Sequence, residues 1–337
     1  LEVDSEMIRK FFFGLTVVLA LTSCHRPARF SGEAQGTYYV VTYYDLRNRD
    51  YGKEIDSLLA AVDRSVSRYQ PGSIISRIND NDTIVRVDSI FADIFRKSME
   101  VSETTQGAFD VTVGPLVNAW GFGVKPVMRV DTSAIDSLRR LVNYRGVHLE
   151  NGRVVKQNPH MTIDFDAIAQ GYTVDLIGTF LEHHGITSYI IDVGGEVLAR
   201  GTKPGGEKWH VGIERPARNQ QDEREVKAVV AVKNEALSTS GNYRKYYEVD
   251  GIRYSHTIDP ATGYPVTHPL LSVTVMAGDC ATADAYATAF MVMGLDKARA
   301  FLEKHPELNA YFIYSGPGGQ METFMTEGIK KILVEED

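Results

Sequence analysis

The sequence predicts an α+β fold: one large domain of mainly antiparallel sheets flanked by helices. Three observations carry that prediction. Short runs rich in β-branched and aromatic residues recur along the chain. Between them fall four or five stretches with helical spacing of apolar residues. No internal repeat, low-complexity block or interdomain linker interrupts the 337 residues, a length that suits one large domain or two smaller ones.

Gly36 to Tyr44 is aromatic and β-branched and reads as the first strand. Ile55, Leu58, Leu59, Val62 and Val66 are spaced as one face of a helix, which Pro71-Gly72 breaks and which restarts after Ser73. Tyr69 and Ser73 therefore sit near a turn, where they either face a ligand or cap a helix. Ser89 to Thr105 is helical and closes at Gly107. Phe109 to Gly123 mixes aromatic, glycine and acidic residues and forms either the wall of a pocket or ordinary core. A helix follows around Ile135 to Leu141, then a hairpin turning at Asn151-Gly152.

Thr162 to Phe165 reads as a strand, and Asp166 to Gly171 turns it into a helix from Tyr172 to His183. Such a turn suits phosphate, because free backbone N–H groups point outward at a helix start. Gln170-Gly171 lacks the Gly-Lys-Ser/Thr of a P-loop, so an ATPase of that type has no support. Strands are expected at Ser188–Asp192, Val197–Ala199, Trp209–Glu214 and Ala228–Val232, with a glycine bend at Gly194-Gly195 and a charged, exposed stretch from Arg215 to Lys227. Glu235 to Asn242 gathers hydroxyls around Gly241. A strand at Leu271–Ala277, helices over Asp279–Met293 and Asp296–His305, and a strand at Ala310–Ser315 complete the domain.

The chain is 43% hydrophobic and 24% charged, ordinary globular composition with a sizeable core available. Its 36 Lys and Arg against 44 Asp and Glu give a net charge of -8, so no broad basic surface for nucleic acid is expected. Met7 to Cys24 has a basic start, an apolar stretch too short for a comfortable membrane span, and small residues before a cysteine. This is a signal-peptide pattern, and Leu21-Thr22-Ser23-Cys24 resembles a bacterial lipobox. Residues 1–6 precede the expected start, 7–23 are the expected lipoprotein signal, 24–34 a tether and 35–337 the functional domain. The expectation is an exported lipoprotein held to a membrane by lipid on Cys24 and facing the periplasm; a plain secretory signal is the alternative. Cys280 is then left alone, with no disulfide framework and no zinc-ligand spacing.

Two constellations carry chemistry. Tyr254 to Gly263, Tyr-Ser-His-Thr-Ile-Asp-Pro-Ala-Thr-Gly, puts a histidine, hydroxyls and a carboxylate on one segment ending in a turn. His256 is there either a reactive group or a hydrogen-bonded side chain at a strand end. Asp284 and Thr288 stand four apart, so both oxygens project from one helical face, where they either bind a hard cation or serve the helix alone.

Taken together, Gln35-Gly36-Thr37, Ser67-Arg68-Tyr69, Phe109 to Gly123, Asp164 to Asp175, Asp192 to Glu196, Thr239-Ser240-Gly241, Ser255 to Gly263, and Ala283-Asp284 with Thr288 resemble the ApbE family of FAD:protein FMN transferases. The ordered set spans nearly the whole mature chain. The resemblance implies a T-fold-like architecture with a flavin cleft lined from both halves of the sequence. It implies Mg2+-dependent transfer of FMN from FAD to a threonine or serine of an acceptor protein in a membrane redox complex, with release of AMP. It assigns Mg2+ to Asp284, Thr288 and the backbone carbonyl of Ala167. It points to Gln35, Tyr69, Ala108, Phe109, Asp110, Asp164, Gln170 and Ile258 for the flavin. The family position of Gln170 is commonly Lys or Glu, so here a neutral amide replaces a charge. His256 is the expected general base, since an imidazole titrates near neutrality; the competing assignment has His256 position the flavin or phosphate and leaves the proton to Asp259. Two other functions remain at this point: an FAD pyrophosphatase in which water replaces the acceptor hydroxyl, and a non-catalytic FAD-binding lipoprotein.

Overall fold

Period-two and period-3.6 patterns alternate through the molecule, which a computed structural model describes for residues 26–123, 132–217, 222–243, 246–249 and 252–337. The expected signal and lipid attachment at residues 7–24 lie outside the described residues. Ala28–Ala34 (β1) and Thr37–Tyr43 (β2) form a hairpin through Gln35 and Gly36, both at positive φ. The tether expected over 24–34 is thus corrected in its second half. Residues 28–34 pair along their whole length with β2, and Phe30 stacks on Tyr43 with ring centroids 5.9 Å apart. A mostly exposed edge strand needs few apolar residues, so its composition reads like a linker.

Three helices follow, α1 (Gly52–Val66), α2 (Ile74–Asn79) and α3 (Ser89–Thr104). α1 buries Ile55, Leu59, Val62 and Val66, the stripe its spacing predicts. Ser73 caps α2 by accepting from Ser76 N at 3.1 Å, and Asp88 caps α3 by accepting from Phe91 N at 2.8 Å. The short helices α4 (Gly114–Ala119) and α5 (Ile135–Arg139) precede a hairpin of β3 (Val147–Glu150) and β4 (Arg153–Lys156), which turns at Asn151-Gly152 as predicted.

The strand predicted at Thr162–Phe165 is not one. This extended segment is held by single bonds: Asn79 accepts from Ile163 N at 2.7 Å and donates to Ile163 O at 2.9 Å, and Asp164 N donates to Val111 O at 2.7 Å. Extended apolar residues do not become a strand without a ladder partner. The helix after it, α6 (Ala169–His183), begins earlier than Tyr172.

The remaining elements are β5 (Tyr189–Val193), β6 (Glu196–Arg200), β7 (Trp209–Glu214), β8 (Val226–Val232), β9 (Glu235–Gly241), β10 (Tyr246–Val249), β11 (Ile252–Ser255), β12 (Leu270–Ala277), α7 (Cys280–Met293), α8 (Leu295–Leu302), β13 (Asn309–Ser315), β14 (Met321–Met325), α9 (Glu327–Lys330) and β15 (Leu333–Glu336). Eight strands make one sheet in the order β1-β2-β5-β6-β9-β12-β13-β14, each pair antiparallel. The α+β class expected from the sequence is therefore the one observed.

Alternation along β12 shows how the layers stack. Val273, Val275 and Ala277 pack with Phe290 of α7, while Met276 joins Trp209, Ile213 and Val230 of the three-stranded sheet β15-β8-β7. The eight-stranded sheet thus carries helices on one face and the small sheet on the other. α7 is buried nearly all round, which its alanine-rich sequence allows, and Asp284 is the carboxylate enclosed within it. Gly171 lets α6 approach α7 closely, since a Cβ there would stand 2.5 Å from the Cys280 carbonyl oxygen.

Candidate active site

The contact between α6 and α7 forms the floor of a cleft of about 650 Å3. At its base Asp284 Oδ2 accepts from Gly171 N at 3.0 Å. A continuing helix would give that N–H to the carbonyl of Ala167, so the turn before α6 keeps the Ala167 carbonyl for another partner. Ala167 and Thr288 both line the cleft, and Thr288 Oγ1 lies 3.2 Å from Ser240 Oγ on β9. Asp175, one helical turn beyond Gly171, returns the exchange by accepting from Cys280 N and Ala281 N, each at 2.8 Å. Two carboxylates thus fasten the start of each helix to the other.

Burial pushes the Asp284 carboxyl up to about 7, against the Gly171 N–H that favours its charged form. Glu196, at the start of β6, is also buried, and burial together with the charge of Asp284 raises it well above the usual carboxylate range. Ser238 Oγ donates to Glu196 Oε1 at 3.3 Å, and Glu196 Oε2 has no hydrogen-bond partner. Among the described residues no group of three or more His, Cys, Asp and Glu side chains could hold a metal. The donor set here is instead mixed: one or two carboxylates, a hydroxyl and a backbone carbonyl. These are all hard oxygens beside an orphaned buried acid, and they fit Mg2+ chemistry.

A second part of the cleft is aromatic and ionic. Phe109, Val113, Val117, Phe122 and Ile258 supply apolar walls, and Ala108 and the exposed Tyr69 stand at its margin. Arg68 bonds Asp164 at 2.9 Å and also Asp166. Burial would lower the Arg68 guanidinium, but these two carboxylates outweigh it and raise it. Burial and the charge of Asp166 push Asp164 up to about 7, opposed by Arg68. Asp110 lines the same region, yet its oxygens accept from Thr112 N and Oγ1 at 2.7 and 2.6 Å and from Tyr144 N at 3.0 Å. Its carboxylate shapes the loop around Phe109.

His256 follows β11 and lines the cleft, its ring edge-to-face with Phe122 at 6.2 Å. The segment after it is pinned. Asp259 Oδ1 accepts from Ala261 N at 2.8 Å, Gly263 N donates to Asp259 O at 2.8 Å, and Trp120 Nε1 donates to Gly263 O at 2.7 Å. Asp259 is thus a turn-forming residue and is not among those lining the cleft.

Of the sequence-predicted residues, Tyr69, Ala108, Phe109, Asp110, Asp164, Ala167, Gln170, His256, Ile258, Asp284 and Thr288 converge on this one cleft. Gln35 does not line it; it sits in the β1–β2 turn, where its Nε2 donates to Thr173 Oγ1 at 2.9 Å on α6. Sequence reasoning passed over Arg68, Asp166, Glu196, Ser240 and Arg224 as site residues, though all line the cleft. Glu196 and Arg68 lie within segments already singled out, Asp192 to Glu196 and Ser67-Arg68-Tyr69, which were given no role for these two side chains.

Over most of its length the chain is similar to proteins already known. The ApbE family profile matches residues 35–312. An FAD:protein FMN transferase of Vibrio cholerae is 34% identical over 307 residues, covering 88% of this chain and 91% of the relative. One from Escherichia coli is 34% identical over 316 residues, 90% of this chain and 89% of the relative. The solved flavin transferase ApbE from Vibrio cholerae superposes with a TM-score of 0.81 at 31% identity, covering 91% of this chain and 99% of the other. The chain belongs to the ApbE family.

Proposed function

We propose that this protein transfers FMN from FAD to a threonine or serine hydroxyl of an acceptor protein. The observation that carries the reading is the convergence, in one cleft, of the hard oxygens of Asp284, Thr288 and Ala167 with His256 and the Phe109–Ile258 walls. The names of the relatives support the same activity.

In the proposed reaction the acceptor oxygen attacks the phosphorus of the FMN half. A phosphoester forms, the bridging P–O bond of the pyrophosphate breaks, and AMP leaves. Mg2+ held by Asp284, Thr288 and the Ala167 carbonyl would neutralise charge on the diphosphate. The chain's own residues do the rest. The apolar walls at Phe109 and Ile258 hold the flavin and exclude water from its face. The pinned turn after β11 sets the position of His256, whose imidazole takes the hydroxyl proton as the oxygen attacks. Gln170, on the first turn of α6, offers the flavin a neutral amide where the family commonly has a charge.

The proposal includes export and anchoring through lipid on Cys24, which would place the cleft on the periplasmic side. The acceptor would then be a protein of a membrane redox complex.

Incubation with FAD, Mg2+ and a threonine-containing acceptor peptide, followed by intact mass, tests the activity. A covalent FMN adduct supports transfer. Free FMN and AMP without adduct means hydrolysis, and unchanged FAD means a carrier.

A further inference from the structure

The roles proposed for the residues of the floor leave one buried acid without a task. Glu196 opens β6 directly after the Gly194-Gly195 bend, and its pairing with Val193 turns its side chain into the cleft. It is only 7% exposed. Its Oε1 has a single long bond from Ser238 at 3.3 Å, and its Oε2 has none. The Ser238 hydroxyl also favours the charged form of Asp284, so its influence reaches both carboxylates. The charges that bear most on Glu196 are those of Asp284 and Asp192, both negative.

A buried carboxylate so poorly partnered costs free energy unless something else satisfies it. Arg68, the buried cation elsewhere in the cleft, is committed to Asp164 and Asp166. We propose that Glu196 is a further oxygen ligand for the divalent cation held at Asp284. The inference rests on the cation reading given above and extends it to a residue outside the Asp284, Thr288 and Ala167 set. Magnesium uses one or two carboxylates alongside substrate phosphate, and Glu196 makes the second. It also explains why an acid is kept where burial opposes its charge: the cation supplies the partner that the protein does not.

The test reads cation binding directly. Mn2+ is titrated into the protein with FAD present and acceptor absent, and free Mn2+ is counted by electron spin resonance. Glu196→Gln keeps the shape and removes the charge, and it weakens Mn2+ binding tenfold or more while FAD affinity in chelator stays within twofold. Glu196→Asp keeps a carboxylate on a shorter stem and retains more affinity than Glu196→Gln. The rise in melting temperature on adding Mg2+ shrinks in the same order, which reads the effect without turnover. Equal Mn2+ affinity in wild type and Glu196→Gln, or a weaker Asp than Gln variant, overturns this inference alone. No Mn2+ binding by the wild type overturns the cation reading together with it.

Discussion

Gly171 gives its backbone N–H to Asp284 Oδ2 at 3.0 Å, across the contact of α6 with α7. The bond joins a helix start to a buried carboxylate, and it also takes from Ala167 the partner that its carbonyl would otherwise have. Glycine is needed because a Cβ would stand 2.5 Å from the Cys280 carbonyl oxygen and 2.8 Å from Asp284 Cβ. Gly171→Ala therefore pushes α6 off α7. The expected cost is about 1–3 kcal/mol of stability, read as a lower urea midpoint, together with weaker Mg2+ dependence of FMN transfer. An unchanged midpoint would mean that the helices are not in close contact.

Trp120 controls the other side of the site. Its Nε1 donates to Gly263 O at 2.7 Å and its ring stacks on Tyr254 at 5.5 Å, so it holds both ends of the segment bearing His256. Trp120→Phe keeps most of the packing but strands the carbonyl. The expected result is a loss of about 1–2 kcal/mol in stability and a fall in kcat larger than any change in FAD affinity. Steady-state rates beside flavin-binding titrations separate the two.

Asp175 sets a pH dependence. Burial pushes its carboxyl up to about 7 despite the N–H groups of Ala281 and Cys280. An acid whose folded pKa is raised binds its proton more tightly when folded, so its contribution is present below the unfolded pKa, near 4, and is lost as pH rises towards 7. Stability of the cation-free protein should fall across that window. Asp175→Asn should flatten this part of the slope, which urea midpoints at pH 4.5 and 7 would show.

Local spacing put Asp284 and Thr288 on one helical face, and the turn signals around Pro260 to Gly263 put His256 on a turn. The resemblance to the ApbE family, not spacing, assigned them to a site. Residues joined only by strand pairing were harder to read. Glu196 and Ser238 meet Asp284 because β6 pairs with β9 and α7 packs against both strands, an arrangement no local pattern encodes. The same holds for Thr162–Phe165, which reads as a strand although Asn79 and Val111, distant in sequence, fix it as an unpaired segment. Gln35 matched a family motif, yet its side chain bonds Thr173 behind the first turn of α6. The polar edge strand β1 read as a tether because exposure, not composition, sets what an edge strand requires.

If the cleft joins FMN to a protein hydroxyl with His256 taking the proton, removing that imidazole stops transfer. The direct measurement compares wild type and His256→Ala for FMN added to an acceptor, by intact mass, and for FAD affinity. The variant is expected to give no adduct and to bind FAD within about tenfold of wild type, or roughly 1.4 kcal/mol. Full flavinylation of the acceptor by His256→Ala would contradict it.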